Sequence, residues 1–533
     1  MFVAQTKSSK RQTAKAQMLT SFNPRTGQVM REIPATPVAE VAEAVATARK
    51  VQPEWASIPP RGRAHMLREV RHRIYDKLDD IVETVSSEVG KPRAEALISD
   101  ALPTVLQLLY LERTAAKTLR DERPAPLAAP FLGMVSRVRW QPFGVVGAIT
   151  PWNYPFFLSM MAVAPALFAG NTVVLKPSEV TPAVGECLRE VFDPLPPGVL
   201  TVVQGAGDVG AALVDAPCDK IAFIGSPATG RRIAEAAARH LTPVVMELGG
   251  KDAAIVCRDA DVDLASSGVL WGAFVNAGQT CAAVERIFVH EDVADEFTSS
   301  LLEKLERLRF AQSGDGDVGA LTFKRQFDIV ERHYKDAIEK GARVLGGGPD
   351  RGPQNENGSL WFAPTVMDGI SDDMDMSREE TFGPLVPIVR VRDEDEAIRR
   401  TNEEAFNLTA TVWTRNTKKG EALAARLRCG AVGINEIGAA ASGVPFAPWG
   451  GIGESGYGRL SGRQGLMEFV YPEHVTKKVT PGLKSLWWYP YDEATQATLR
   501  GATELLSAPG VKRKVDAARS IAANIGSALR GKF

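Results

Sequence analysis

Cysteine is scarce and unpaired in this 533-residue sequence: Cys187, Cys218, Cys257, Cys281 and Cys429 are scattered, and no two form a CxxC pair. An odd count excludes a complete set of intrachain disulfides, so a reducing, cytoplasmic setting is expected. Histidine is as sparse. The six histidines show no HxxxH or Cys/His cluster at zinc spacing, and neither a structural nor a catalytic metal is expected. An excess of either charge is also missing, with 63 Lys and Arg against 64 Asp and Glu and a formal net charge of -1. Nothing in that balance draws the chain to nucleic acid, and none is expected as a partner. The longest apolar run, LSMMAVAPALFAG from Leu158, is short and broken by proline, so no bilayer span is expected. Internal repeats, low-complexity tracts and a secretory h-region are absent too.

What is present reads as a globular chain, 44% hydrophobic and 24% charged. It is too long for one core, and two or three subdomains are expected. The opening MFVAQTKSSKRQTAKAQ is basic, without acids or amphipathic spacing, and a disordered tail is expected over residues 1–18. From about residue 38 to 122 apolar positions recur at three and four, as in VAEVAEAVATARKV, which predicts packed amphipathic helices. Between 144 and 257 the pattern changes to short apolar runs between helical segments: GVVGAIT, TVVLKP, GVLTVVQ, KIAFIG, PVVMEL and AAIVC. That alternation predicts a doubly wound parallel sheet whose ligands sit beyond the carboxyl ends of its strands. Later strand candidates, FAPTVM, LVPIVRV, LTATVWT and AVGINE, predict a second α/β unit. Residues 442–465 are too glycine-rich for a regular element and are expected to form a long ordered loop lining a site.

The last segment clusters aromatics in LKSLWWYPYDE. It then places Val511, Val515, Ala518, Ala522, Ile525 and Leu529 on one helical stripe with a basic opposite face. Two readings stand: peripheral contact with an anionic membrane, or docking on its own protein or on an oligomer partner.

Three glycine-rich windows could suggest phosphate binding. GAGDVG (Gly205, Gly207, Gly210) follows a strand but lacks the ribose-binding acid about twenty residues on. GIGESG (Gly451, Gly453, Gly456) lies in the loop-like region, where backbone geometry is the simpler explanation. FIGSPATG ends a strand and opens a helix at Ser226, where free amides suit a phosphate, though simple helix capping is the more common explanation for a Gly-Ser before a helix. Cys281, in FVNAGQTCAAVER, would alone pass for a small apolar core residue.

Seven motifs in order decide between these readings: PWNYP (151–155), KPSEVTP (176–182), FIGS, ELGGKD (247–252), GQTC (278–281), EETFGP (379–384) and PWGGIGESGYGR (448–459). Together they resemble the aldehyde dehydrogenase superfamily, over a span from FNPRTGQV at residue 22 to VTKKV at 479. The resemblance implies an α/β subunit of three parts: a doubly wound cofactor-binding domain over residues 19–123 and 143–248, a second α/β catalytic domain over 249–450, and a small oligomerisation arm over 124–142 and 466–485. Residues 486–533 would be an aromatic and basic extension. A homodimer or homotetramer is implied.

Oxidising an aldehyde by hydride transfer needs a tetrahedral carbon, which a thiolate creates by adding to the carbonyl. By resemblance Cys281 is that nucleophile, and the Asn153 amide and the Cys281 N–H meet the oxyanion. Glu247 is the base that activates water to release the acid. The resemblance also places Lys176 and Glu179 at an adenosine ribose, where the carboxylate disfavours a 2′-phosphate. NAD is therefore the expected cofactor, with NADP as the alternative. Gly225 and Ser226 would meet the pyrophosphate, Glu380 the nicotinamide ribose and Phe382 the nicotinamide end, with Trp152 and Leu248 completing the set.

The chain departs from the common family pattern at Trp449, where phenylalanine is usual, at Gly453, where lysine is usual, and at Leu460, where glutamate is usual; Glu454 is a candidate substitute for that glutamate. Rival activities are a succinate-semialdehyde-type oxidation, for which Arg286 is the candidate cation, and a CoA-acylating reaction, against which Glu247 counts. A membrane-associated non-catalytic scaffold is the reading from another class. For aromatic or long-chain aldehydes, Phe157, Trp271, Phe274 and Phe446 are candidates to line an apolar funnel.

Overall fold

The computed structural model describes residues 17–123, 134–480 and 482–530. The expected basic tail lies outside them apart from its last two residues, as do residues 124–133 of the expected arm. The chain divides into two compact units. One holds the described residues up to Thr118 together with Pro142–Tyr471, and the other holds Leu119–Gln141 and Pro472–Phe533, again as far as described.

Among the described residues the first unit contains two large sheets and two small two-stranded ones. Five parallel strands, in spatial order Val244–Glu247, Lys220–Ile224, Val145–Ile149, Thr172–Lys176 and Leu200–Val202, make the first. The chain starts in the middle at Val145–Ile149, adds two strands on one side, then returns to add two on the other. That reversal is the topological switch point at which open α/β sheets bind ligands. These strands are continuous apolar runs because helices cover both faces: Val145, Val174, Ile221 and Phe223 share a buried cluster with Val41, Val45 and Leu213.

The glycine-rich loop is less irregular than its composition predicts. Gly456–Tyr457 adds an antiparallel edge strand beside Val244–Glu247. Gly456 has φ 104°, and a Cβ there would lie 2.1 Å from Met246 O, so only glycine allows this approach. Helix Gly462–Met467 also begins inside that segment.

The second sheet has seven strands, in the order Arg343–Gly346, Thr365–Asp368, Leu385–Val391, Val284–His290, Asp252–Val256, Thr409–Trp413 and Ala431–Ile434. The AAIVC run belongs here. Glu247 ends a strand of the first sheet and Asp252 begins one of the second, so residues 248–251 carry the chain from one to the other.

Two long apolar helices lie in the first unit. Pro155–Ala169 is the long apolar run of the sequence, and every one of its residues is buried. It is a core helix, each large side chain contributing about 1.5–3 kcal/mol by leaving water. Arg93–Thr118 is long and apolar enough to cross a bilayer by length and composition. It instead packs on its neighbours through Leu108, Leu111 and Ala115, and its turn Leu97–Ala101 is a π-helix. Such bulges often mark functional positions.

The second unit holds all of the two-stranded sheet of Met134–Pro142 and Val470–Lys478 except Pro142, Val470 and Tyr471, and the hairpin of helices Glu493–Ser507 and Val511–Arg530. The hairpin packs differently from the sequence expectation. Ala517, Ile521 and Ala528 form the buried face of its second helix, whereas Val511, Val515, Ala518 and Ala522 are exposed. Small residues win because Gly501 on the first helix lets the two backbones approach, a Cβ there falling 2.9 Å from Ile521.

Candidate active site

Residues 275–281 make a tight loop between helix Val262–Phe274 and strand Val284–His290. Asn276, Ala277 and Gly278 are consecutively left-handed, with φ of 54°, 53° and 72°. Two non-glycine residues in that region are strained and need outside support. Glu95 Oε2 accepts the Asn276 N–H at 3.0 Å, and the Asn276 amide donates to Asn153 O at 3.0 Å. A Cβ on Gly278 would strike Gly383 O at 2.2 Å. The loop delivers Cys281 to the base of a cavity of about 280 Å³.

Asn153 follows strand Val145–Ile149, and its side-chain amide donates to Gln279 O at 3.0 Å, two residues from Cys281. Its own carbonyl is held by Lys91, whose Nζ donates to Asn153 O at 2.8 Å and to Asp100 Oδ2 at 2.9 Å. Lys91 and Asp100 have fully buried side chains, and the ammonium also sits 3.8 Å from the centre of the Tyr154 ring. Asp100 Oδ1 accepts the N–H groups of Phe156 and Phe157 at 3.2 Å, pinning the first turn of the core helix. One ion pair therefore fixes the carbonyl of Asn153 and the helix turn that follows it.

Glu247 is buried, and neither of its carboxylate oxygens has a hydrogen-bond partner. Burial pushes its carboxyl well above the usual range, Arg459 opposes the shift and Glu468 adds to it. Two orphaned buried acceptors are costly to keep and suit a group that takes up a proton. Burial also raises the Cys281 thiol, helped by the charges of Glu380, Asp252 and Glu247. The thiol is thus protonated at rest and needs a base when it reacts.

A second buried ion pair holds the EETFGP segment. Lys251 Nζ lies 3.0 Å from Glu285, whose carboxylate accepts the N–H of Thr381 at 3.0 Å and of Phe382 at 2.8 Å. This holds Glu380 against the glycine pair of ELGGKD: Gly250 N–H donates to Glu380 Oε1 at 2.9 Å, and a Cβ on Gly249 would fall 2.3 Å from Glu380. Glu380 is pushed up to about 8 by burial and by neighbouring Glu285. Phe382 packs edge-on to Trp152 with ring centres 5.4 Å apart.

The other expected cofactor residues fall at carboxyl ends of the first sheet. Lys176 ends its strand and pairs with Glu179 at 2.6 Å. Gly225 follows Ile224, and Ser226 is the N-cap of helix Pro227–Ala238. Leu248 follows Glu247 and bonds to Ser455 O. A strand-end crevice, a capped helix N-terminus and a glycine pair without room for side chains are features that accept a dinucleotide's phosphates and riboses.

Several sequence expectations are corrected. Arg286 does not line the Cys281 cavity; its Nε and Nη2 donate to Lys251 O at 3.0 and 2.7 Å, and it borders a separate groove with Phe288 and Arg400. The strand it sits on alternates direction, which turns Arg286 away. Phe157 and Trp271 do line the cavity, but Phe274 lines another and Phe446 is 71% exposed. Glu454 pairs with Arg231. Leu460 is fully buried, its N–H bonded to Trp449 O at 3.0 Å, and Trp449 itself lines the cavity. Gly453 has φ 64°, a conformation that strains any side chain.

Lys91, Asp100, Glu95, Asn276 and the Lys251–Glu285 pair escaped sequence reasoning. For the two lysines the signal was a charge inside GKP or GGKD, which reads as surface until the partner from another segment is in place.

The family model described as "Aldehyde dehydrogenase family" matches residues 11–475. The 4,4'-diapolycopene aldehyde oxidase of Methylomonas sp is 36% identical over 492 residues, covering 92% of this chain and 91% of that protein. A Mycobacterium ulcerans protein with a provisional name, succinate-semialdehyde dehydrogenase (NADP(+)) 2, is 38% identical over 458 residues, covering 84% and 86%. Among solved structures, the Mycobacterium tuberculosis aldehyde dehydrogenase complexed with NAD+ superposes with a TM-score of 0.81 at 32% identity, over 87% of this chain and 95% of that one.

Proposed function

The chain belongs to the aldehyde dehydrogenase family, and from that premise we propose that it oxidises apolar aldehydes to carboxylic acids with NAD, or NADP, through Cys281. The observation that carries this reading is Glu247, buried with both oxygens unpartnered near a cysteine loop that Asn153 also reaches.

Cys281 Sγ adds to the aldehyde carbon as its proton passes to solvent, giving the oxyanion of a thiohemiacetal and accounting for the one proton released per turnover. The Asn153 amide and the Cys281 N–H stabilise the oxyanion, and Lys91 keeps that amide aimed without touching the substrate. A nicotinamide held by Glu380 and Phe382 would supply the acceptor for the hydride that leaves carbon. Glu247 then takes a proton from water, the resulting hydroxide attacks the Cys281 thioester, and the thiolate departs as the acid is released. The balance is aldehyde, water and oxidised cofactor to acid, reduced cofactor and a proton. Release as an acyl-CoA would leave Glu247 without a task.

Lys176, Glu179, Gly225, Ser226, Leu248, Trp152, Glu380 and Phe382 would hold the cofactor. Glu179 favours NAD by repelling a 2′-phosphate, while the name of the mycobacterial relative supports NADP as the alternative. The substrate class rests on the cavity. No described residue lining it is charged, and Ile98, Leu102, Phe157, Trp271 and Trp449 give it an apolar wall. A succinate-type carboxylate finds no cation there, and the polyene aldehyde named for the Methylomonas relative is a substrate of the apolar kind. Assembly into a homodimer or homotetramer rests on the family resemblance.

Replacing Cys281 by alanine tests the reading: aldehyde-dependent NADH formation disappears while the fold survives, and unchanged turnover overturns it.

A further inference from the structure

The C-terminal hairpin carries apolar surface that its own packing does not use. At about 100° per residue, Val511, Val515, Ala518 and Ala522 fall on one stripe of helix Val511–Arg530, well round from the buried Ala517, Ile521 and Ala528. Val511 is 79% exposed, and Leu506 just before the turn is 72% exposed. Lys512, Arg519 and Arg530 fall on one flank of the stripe and Lys514 on the other. Asp516 is the only acid on that helix, and it lies 3.6 Å from Arg519.

A second apolar surface precedes the hairpin. Trp487, Trp488, Tyr489 and Tyr491 are between 43% and 64% exposed, with the rings of the two tyrosines 4.7 Å apart. Lys478 Nζ lies 4.6 Å from the centre of the Trp488 ring, and Lys484 N–H donates to Leu529 O at 3.0 Å, which ties this segment to the end of the second helix. Four exposed aromatic rings in five residues would be a costly surface to leave in water.

Aromatic rings with a polar edge, an aliphatic stripe, and a second helix with flanking cations and one acid match the headgroup level of an anionic bilayer, the first helix adding Glu493 and Glu504 against Arg500. A second copy of this chain on the same face would bring cations against cations. We propose that the hairpin and the aromatic segment before it bind the surface of an anionic phospholipid membrane. The inference does not depend on the catalytic assignment.

The test is co-sedimentation of the full chain with phosphatidylcholine vesicles containing phosphatidylglycerol, with phosphatidylcholine vesicles as the control, at low and high salt. The chain binds the anionic vesicles, binds the control weakly, and is released by salt. Lys512→Glu with Lys514→Glu weakens binding by about thirtyfold or more, and Trp487→Ser with Trp488→Ser also weakens it, while aldehyde oxidation in solution is unchanged. Absence of vesicle binding by the unaltered chain overturns the proposal, as does equal binding to both vesicle types. Variants that alter the oligomeric mass in light scattering, yet bind vesicles as before, assign the surface to subunit contacts and also overturn it.

Discussion

Lys91 Nζ lies 2.8 Å from the backbone oxygen of Asn153, the residue whose side-chain amide reaches Gln279 O beside the cysteine loop. Burial lowers the Lys91 ammonium and Asp100 at 2.9 Å opposes that shift, so an ion pair positions the residue proposed as oxyanion donor.

Removing that donor and removing its support have separable effects. Asn153→Ala lowers kcat by about 10²–10³-fold with little change in folding. Lys91→Met leaves Asp100 buried without its cation, at a cost of about 3–5 kcal/mol of stability. It also lowers kcat more than it raises KM. Thermal unfolding and steady-state kinetics on the two variants distinguish the roles; a Lys91→Met enzyme with full kcat contradicts the positioning argument.

The pH dependence follows from two groups shifted in the same direction. Burial raises the Glu247 carboxyl, so the deacylating base is lost as pH falls through that raised value. Burial and nearby carboxylates raise the Cys281 thiol, so acylation also gains as pH rises. The steady-state rate therefore climbs from neutral to alkaline pH. In Glu247→Gln the steady-state rate loses its Glu247 limb, while the first-turnover rate keeps the thiol limb. Stopped-flow and steady-state pH profiles check both.

Substrate preference is set by the cavity wall. Long-chain and aromatic aldehydes are turned over with higher kcat/KM than succinic semialdehyde. Leu102→Arg, which places a cation at the wall, shifts the ratio towards succinic semialdehyde by about tenfold or more. A panel with both cofactors measures this. Preference of the unaltered enzyme for succinic semialdehyde would refute the apolar assignment and leave the Cys281 chemistry standing.

The doubly wound sheet was legible because its strands are unbroken β-branched runs at regular spacing, and Ser226 because a hydroxyl before Pro227 is a local helix-start signal. Cys281, Glu247 and Asn153 were legible only through seven motifs in family order, since nothing adjacent to Cys281 marks it as reactive. The direction of Arg286 was not legible, because strand register decides which face it takes. The antiparallel strand at Gly456 was hidden for a related reason: its pairing depends on a backbone approach that composition does not encode. The two buried ion pairs joined residues from separate segments, and each lysine alone resembled a solvent-exposed one.

The central claim is a covalent intermediate on Cys281 that Glu247 resolves. Intact-protein and peptide mass spectrometry of Glu247→Gln, quenched after mixing with an apolar aldehyde and NAD, measures it directly. One acyl group on Cys281, accompanied by a burst of NADH and slow turnover, is the predicted result. A full burst without an adduct on Cys281, or an unaltered steady state, would contradict it.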